Sequence, residues 1–210
     1  MLVKICGTTT LDDALVAHAA GADAIGFVFA ASKRQVDAAT VASIVAELPA
    51  GALTVGVFRG QSADEILDIV AASGVDAIQL HGDESPSDVA RVRHATDFLI
   101  QAFTADDPRL EHLGEYEVDA ILLDSPSPGS GETFDWSLIE GLSSQVRVIL
   151  AGGLDADNVA MAIERVRPWG VDVASGVESS PGHKDAAEVR RFVTVARDAL
   201  SEFSADPGSA

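Results

Sequence analysis

Gly21-Ala22-Asp23-Ala24-Ile25-Gly26-Phe27-Val28-Phe29 sets a glycine, an aspartate and an apolar run in the order that stops a helix and opens a strand. Its first four residues echo in Gly74-Val75-Asp76-Ala77, Glu117-Val118-Asp119-Ala120 and Gly170-Val171-Asp172-Val173, each preceding or opening another apolar run. A recurrence at roughly 50-residue spacing reads as a two-unit repeat that marks the even-numbered strands. Strand-like runs fall at 2–6, 24–29, 53–58, 77–80, 98–103, 120–124, 146–151 and 171–175. Helix-like stretches lie between them near 11–20, 37–48, 62–73, 86–95, 106–117, 135–143, 155–167 and 184–202. Eight βα units of this length predict an α/β fold, a closed parallel (βα)8 TIM barrel in one domain over residues 1–203, with 204–210 a disordered tail. The strands are apolar almost throughout, as expected of a parallel sheet covered on both faces. A doubly wound open sheet would need edge strands, and none of the eight is visibly more polar than the rest.

With 210 residues, 47% of them hydrophobic, the chain can bury one large core. A net charge of −19 excludes a nucleic-acid or anionic-membrane surface, because phosphate neutralisation needs clustered Lys and Arg. Lysine occurs only as Lys4, Lys33 and Lys184, so any phosphate must be held locally. The spread of acidic residues suggests a salt-adapted surface, with an Ala- and Asp-biased composition as the plainer alternative. One cysteine allows no intrachain disulfide, and Met1-Leu2-Val3-Lys4 lacks the basic and apolar regions of a secretion signal; the expected setting is the cytoplasm. No apolar run nears the roughly 18 residues of a membrane span.

In such barrels the chemistry lies just past the C-terminal strand ends. That selects Cys6, Arg34, His81, Asp124 and the turns Gly152-Gly153 and Ser175-Gly176. Cys6, the only cysteine, could be a base or nucleophile through its thiolate, although taken alone a small buried hydrophobe is the favoured reading. Asp124 closes Ile121-Leu122-Leu123 and is either a desolvated general acid or a turn residue before Ser125-Pro126. Arg34 could fork onto a carboxylate or stand as a surface charge. His81, followed by Gly82-Asp83-Glu84, reads as a structural or orienting imidazole. Glycine turns after the seventh and eighth strands can bring backbone N–H groups to an anion, a pairing that points to phosphate. His18, His81, His94, His112 and His183 show no metal-ligand spacing, and Gly129-Ser130-Gly131 is misplaced for a dinucleotide turn, so no metal and no cofactor is expected.

Several of these residues stand in ordered motifs: Lys4-Ile5-Cys6-Gly7, the run from Gly21 to Phe29, Ser32-Lys33-Arg34, Val55-Gly56-Val57-Phe58, Gln79-Leu80-His81-Gly82 and Leu122-Leu123-Asp124. Gly129-Ser130-Gly131 with Thr133-Phe134-Asp135-Trp136, and Asp172 with Ser175-Gly176-Val177-Glu178, Pro181-Gly182 and Lys184-Asp185, continue the series. In this order they resemble the phosphoribosylanthranilate isomerase family of tryptophan biosynthesis over nearly the whole chain. The resemblance implies an Amadori rearrangement of N-(5-phospho-β-D-ribosyl)anthranilate. It makes Asp124 the acid that protonates the ring oxygen and Cys6 the base that removes the C2 proton. By the same match Arg34 holds the anthranilate moiety, His81 and Asp172 belong to the substrate site, and the phosphate rests on Gly152, Gly153, Ser175 and Gly176. As a base Cys6 would need a modestly lowered pKa and no histidine partner. The implied partner is a small phosphosugar, with no nucleic acid and no membrane, and the chain is expected to act as a monomer, with a dimer as the alternative. Other phosphosugar barrels fit less well: an epimerase would need metal-ligating histidines and carboxylates, and indole-glycerol-phosphate synthase more lysines. A catalytically silent sugar-phosphate-binding barrel is the competitor from another class.

Overall fold

The computed structural model describes residues 1–125 and 146–204, with side chains to residue 199. The strands are β1 (Leu2–Ile5), β2 (Ala24–Val28), β3 (Leu53–Phe58), β4 (Ala77–Leu80), β5 (Phe98–Thr104), β6 (Ala120–Asp124), β7 (Val148–Leu150) and β8 (Gly170–Val173). They pair in parallel in chain order, and β8 returns to β1 with Lys4 opposite Asp172. That closes the barrel and leaves no edge. Period two sorts each strand between two cores. Ala24, Val55, Ala77, Ile100, Leu122 and Ile149 fill the barrel. Their neighbours Ile25, Ile78, Leu99 and Ile121 pack outward, in the layer that also holds Val41, Ile66, Val89 and Phe192 of the helices.

The helices are α1 (Leu11–Ala19), α2 (Ala38–Glu47), α3 (Ala63–Ser73), α4 (Pro86–Val92), α5 (Val159–Val166) and α6 (Ala186–Ser204). Their starts follow from local chemistry. Thr10 and Asp37 accept from Asp13 N and Thr40 N, and Ser62/Glu65 and Ser85/Asp88 form reciprocal capping boxes. Gly74 ends α3 at φ 71°, where a side chain would be strained.

The repeated aspartate has a structural job in three of its four copies. Asp23 Oδ2 accepts from Val3 N at 2.7 Å, Asp76 Oδ2 from Thr54 N at 2.9 Å, and Asp119 Oδ2 from Leu99 N at 2.7 Å. Each ties the start of an even strand to the odd strand before it. The fourth copy differs: β8 already starts at Gly170, so Asp172 lies inside the strand. There it faces into the barrel.

Residues 106–117 do not make the expected α-helix. Pro108–Glu115 is 3-10, broken at His112 (φ −119°, ψ 24°), because Asp107 binds Arg109 locally and Gly114 adds no helical preference. A short antiparallel pair, β9 (Glu178–Ser180) and β10 (His183–Lys184), precedes α6, which starts at Ala186 rather than near 184. The expected helix at 135–143, the Gly129-Ser130-Gly131 turn, Thr133-Phe134-Asp135-Trp136 and the tail beyond Ser204 lie outside the described residues. Among the described residues no helix is long and apolar enough to cross a membrane.

Candidate active site

At the C-terminal end of β1 the inward positions are Lys4 and then Cys6. Lys4 is fully buried, and its Nζ sits 2.9 Å from Asp172 Oδ1 on β8. Cys6 is 7% exposed and donates its backbone N–H to Val173 O. On β2 the facing residue is Gly26, and only a hydrogen fits there: a Cβ would lie 2.8 Å from Cys6 Sγ and 3.2 Å from Lys4 Cε. Burial pushes the Cys6 thiol up, Lys4 draws it back, and the net position is above the ordinary thiol value. The modestly lowered value expected from sequence is therefore corrected: loss of water outweighs the nearby ammonium. Burial draws Lys4 down, but Asp172 and the Cys6 sulfur outweigh it and hold the ammonium above its usual range.

Gly7 follows at φ 73°, and a Cβ on it would meet Arg34 Cδ at 2.5 Å. Arg34 therefore crosses directly over the turn beside Cys6. Its guanidinium forks onto Glu178, Nε to Oε1 at 2.7 Å and Nη2 to Oε2 at 2.8 Å. Lys184 Nζ donates to the same Oε1 at 3.0 Å, to Cys6 O at 2.6 Å and to Ala174 O at 3.0 Å. Burial pushes Glu178 up, and the Arg34 fork with Lys184 overcomes it, leaving this carboxylate below its usual range. Burial draws Lys184 down, and Glu178 only partly restores it.

Asp124 ends β6, 8% exposed. Its Oδ1 accepts from Ser125 N at 2.7 Å, and its Oδ2 is 3.4 Å from His81 Nε2. Gln79 Nε2 faces His81 Nδ1 at 3.0 Å. An amide nitrogen only donates, so in this contact Nδ1 is the acceptor. His81 therefore lies between Gln79 and Asp124, and Glu84 Oε2 accepts from Gly82 N in the loop that carries it. A cavity of about 130 Å³ opens beside this pair, lined also by Arg59, Phe103 and Arg109. A larger one, about 560 Å³ between α3 and α4, touches neither Cys6 nor Asp124.

The two glycine turns meet. Gly152 and Gly153 have φ 83° and 66°, and a Cβ on Gly152 would sit 2.5 Å from Ser125 N. A Cβ on Gly176 would lie 2.0 Å from Leu154 O, so the turn after β8 locks onto the turn after β7. Ser175 and Gly176 begin a 3-10 turn, partly open to solvent. All nine residues selected from sequence thus sit on the C-terminal face of the barrel, those after β8 and β1 on one side and Asp124 with His81 on another. Lys4, Gln79, Glu178 and Lys184 also belong to this face, beyond the residues that the strand-end rule selects. Lys4 had a signal: a lysine two residues before Cys6 in an apolar strand shares its face and must be paired.

Ionisable side chains carried inward at the C-terminal ends of eight closed parallel strands put the molecule among the (βα)8-barrel enzymes. Residues 3–195 match the N-(5'phosphoribosyl)anthranilate (PRA) isomerase family, and the chain belongs to it. The N-(5'-phosphoribosyl)anthranilate isomerase of Pelobacter propionicus is 46% identical over 206 residues, covering 95% of this chain and 97% of that one. The phosphoribosyl anthranilate isomerase of Thermus thermophilus is 37% identical with a TM-score of 0.88, over 94% of this chain and 99% of its own. A phosphoribosyl anthranilate isomerase in complex with reduced 1-(o-carboxyphenylamino)-1-deoxyribulose 5-phosphate is 38% identical, with a TM-score of 0.83 over 94% and 100%.

Proposed function

We infer that the protein is a phosphoribosylanthranilate isomerase, converting N-(5-phospho-β-D-ribosyl)anthranilate into 1-(2-carboxyphenylamino)-1-deoxy-D-ribulose 5-phosphate, the third step from chorismate to tryptophan. The observation that carries this is Asp124 and Cys6 at the same end of one barrel, on β6 and just past β1, within a chain 46% identical to a named isomerase. Asp124 protonates the furanose ring oxygen; the C1–O bond breaks and the anilino nitrogen supplies the electron pair, giving an iminium ion. Cys6, as thiolate, then takes the C2 proton, and the electrons of that C–H bond neutralise the iminium to an enolamine. Tautomerisation to the ketone completes an isomerisation with no net gain or loss of atoms. His81 orients the acid. Asp172 reaches the substrate from β8, Arg34 holds the anthranilate end, and the phosphate rests on Gly152, Gly153, Ser175 and Gly176, whose interlocked turns support that role.

We place the work in a single barrel domain and in the cytoplasm, on the strength of the family's biosynthetic role. We expect a monomer, with a dimer as the alternative because the Thermotoga maritima relative is named as dimeric, and light scattering decides between the two. The central test follows the loss of phosphoribosylanthranilate fluorescence with pure protein. Asp124→Asn and Cys6→Ser are each expected to lose at least ~100-fold in turnover, the usual scale of general acid–base catalysis, with melting temperatures near wild type. Near-wild-type turnover in Asp124→Asn removes the acid assignment. No turnover by the wild type, at low and at molar salt, favours the silent sugar-phosphate-binding barrel.

A further inference from the structure

We propose that Lys4 is the positioning residue that favours ionisation of Cys6, its buried ammonium lying between the sulfur that must become thiolate and the Asp172 carboxylate. The inference deepens the base role given to Cys6 and rests on it for its consequence in catalysis. Its geometry does not. Lys4 is 0% exposed in the middle of an apolar strand, and its Nζ is 2.9 Å from Asp172 Oδ1. Period two turns Cys6 to the same face. The sulfur and the lysine's Cε both crowd the one spot above Gly26, at 2.8 and 3.2 Å from where a Cβ would be. The ammonium is thus anchored on Asp172 while its stem lies beside the sulfur, close enough for its charge to favour the thiolate.

A purely structural reading accounts poorly for this arrangement. Replacing a buried ion pair by apolar residues of similar volume is often neutral or stabilising, so the pair gives the fold little that leucine and methionine would not. What an apolar pair could not supply is a fixed positive charge at the sulfur. The other charges around Cys6 leave that task to Lys4. From β10, Lys184 binds the Cys6 carbonyl oxygen and Glu178; from the loop after β2, Arg34 crosses Gly7 but is forked onto Glu178 of β9. On α1, Asp13 meets Lys184 N, and β2 offers only Gly26. From β8, Asp172 opposes ionisation of the thiol, and of all these groups Lys4 favours it most.

Because Cys6 is the only cysteine, thiol titration reads this site alone, without substrate. The assay measures iodoacetamide alkylation rate and ultraviolet thiolate absorbance against pH, with Cys6→Ser as the blank. Lys4→Met is expected to raise the midpoint by about one pH unit or more, a tenfold loss of thiolate at a given pH. Asp172→Asn is expected to lower it. If Lys4→Met does not fold, the double variant Lys4→Met/Asp172→Asn carries the test, since its midpoint should lie above that of Asp172→Asn by a similar margin. A midpoint in Lys4→Met, or in the double variant relative to Asp172→Asn, that moves less than about 0.3 unit overturns the proposal, even if turnover has fallen. Failure of the base role is distinguishable: Cys6→Ser would keep its turnover while the Lys4 shift persisted. Where both hold, the acid limb of kcat/KM in Lys4→Met moves up by the same amount as the thiol midpoint.

Discussion

Glu178→Gln removes one negative charge from beneath two cations and keeps the side chain's shape. The carboxylate is 4% exposed, Arg34 16% and Lys184 0% at their side chains. It accepts three charge-assisted hydrogen bonds, at 2.7, 2.8 and 3.0 Å. Glutamine offers one neutral acceptor, and its amide nitrogen would face Arg34 donor to donor. Lys184 would keep two carbonyl oxygens but lose its counter-charge. Hydrogen bonds to charged groups contribute about 1.5–3 kcal/mol each, and removing one partner of a buried pair costs about 3–5 kcal/mol, so we expect a loss of about 3–5 kcal/mol. For a domain of this size that is a fall of about 6–20 °C in melting temperature, read by circular dichroism at pH 7. The pH dependence gives the sign. Burial works against Glu178, yet Arg34 and Lys184 hold its folded value below 4.5. Its stabilisation is therefore complete above pH 4.5 and is lost as pH falls through the lower folded value. The gap between wild type and Glu178→Gln should be widest at neutral pH and narrow below that value, by the share of it that comes from the lost charge. A melting temperature within about 2 °C of wild type at pH 7 would refute the reasoning, since even 1 kcal/mol moves it by that much. A gap that stays constant from neutral to strongly acid pH would mean that lost shape, not lost charge, was measured.

Gly26→Ala should cost about 1–3 kcal/mol by overpacking and lower turnover at least ~tenfold, because its methyl would sit 2.8 Å from Cys6 Sγ and 3.2 Å from the Cys6 backbone; a thermal melt and the fluorescence assay read the two effects. The net charge of −19 predicts a melting temperature that rises from low to molar potassium chloride as self-repulsion is screened, and a flat profile would assign the acidic surface to compositional bias.

How far the sequence could be read depended on the range over which each feature is determined. Local rules carried the barrel: period two separates Ala24 from Ile25 and Ala77 from Ile78, and caps at Thr10, Asp37, Ser62 and Ser85 start the first four helices. They failed at residues 106–117, where Asp107 and Pro108 favoured a tighter turn. The Gly-x-Asp pattern shows where such rules stop. Asp23, Asp76 and Asp119 bind a backbone N–H of the preceding strand, yet Asp172 stands inside β8, because Gly170 pairs with Leu2 and starts the strand earlier. Whether an aspartate opens a strand or lies within it depends on register with a neighbour, and for β8 that neighbour is β1, 168 residues away in the Lys4–Asp172 pair. The Arg34–Glu178 fork spans 144 residues. Both contacts form only when the barrel closes, so strand-end residues can be found one at a time while their pairings cannot. Lys4 is the instructive case: the alternation that exposed the barrel also placed it under Cys6. A buried charge inside an apolar strand requires a partner, and in a closed barrel that partner is on a neighbouring strand at the same height. The same closure that hides the pair from water puts it beneath the one thiol of the chain.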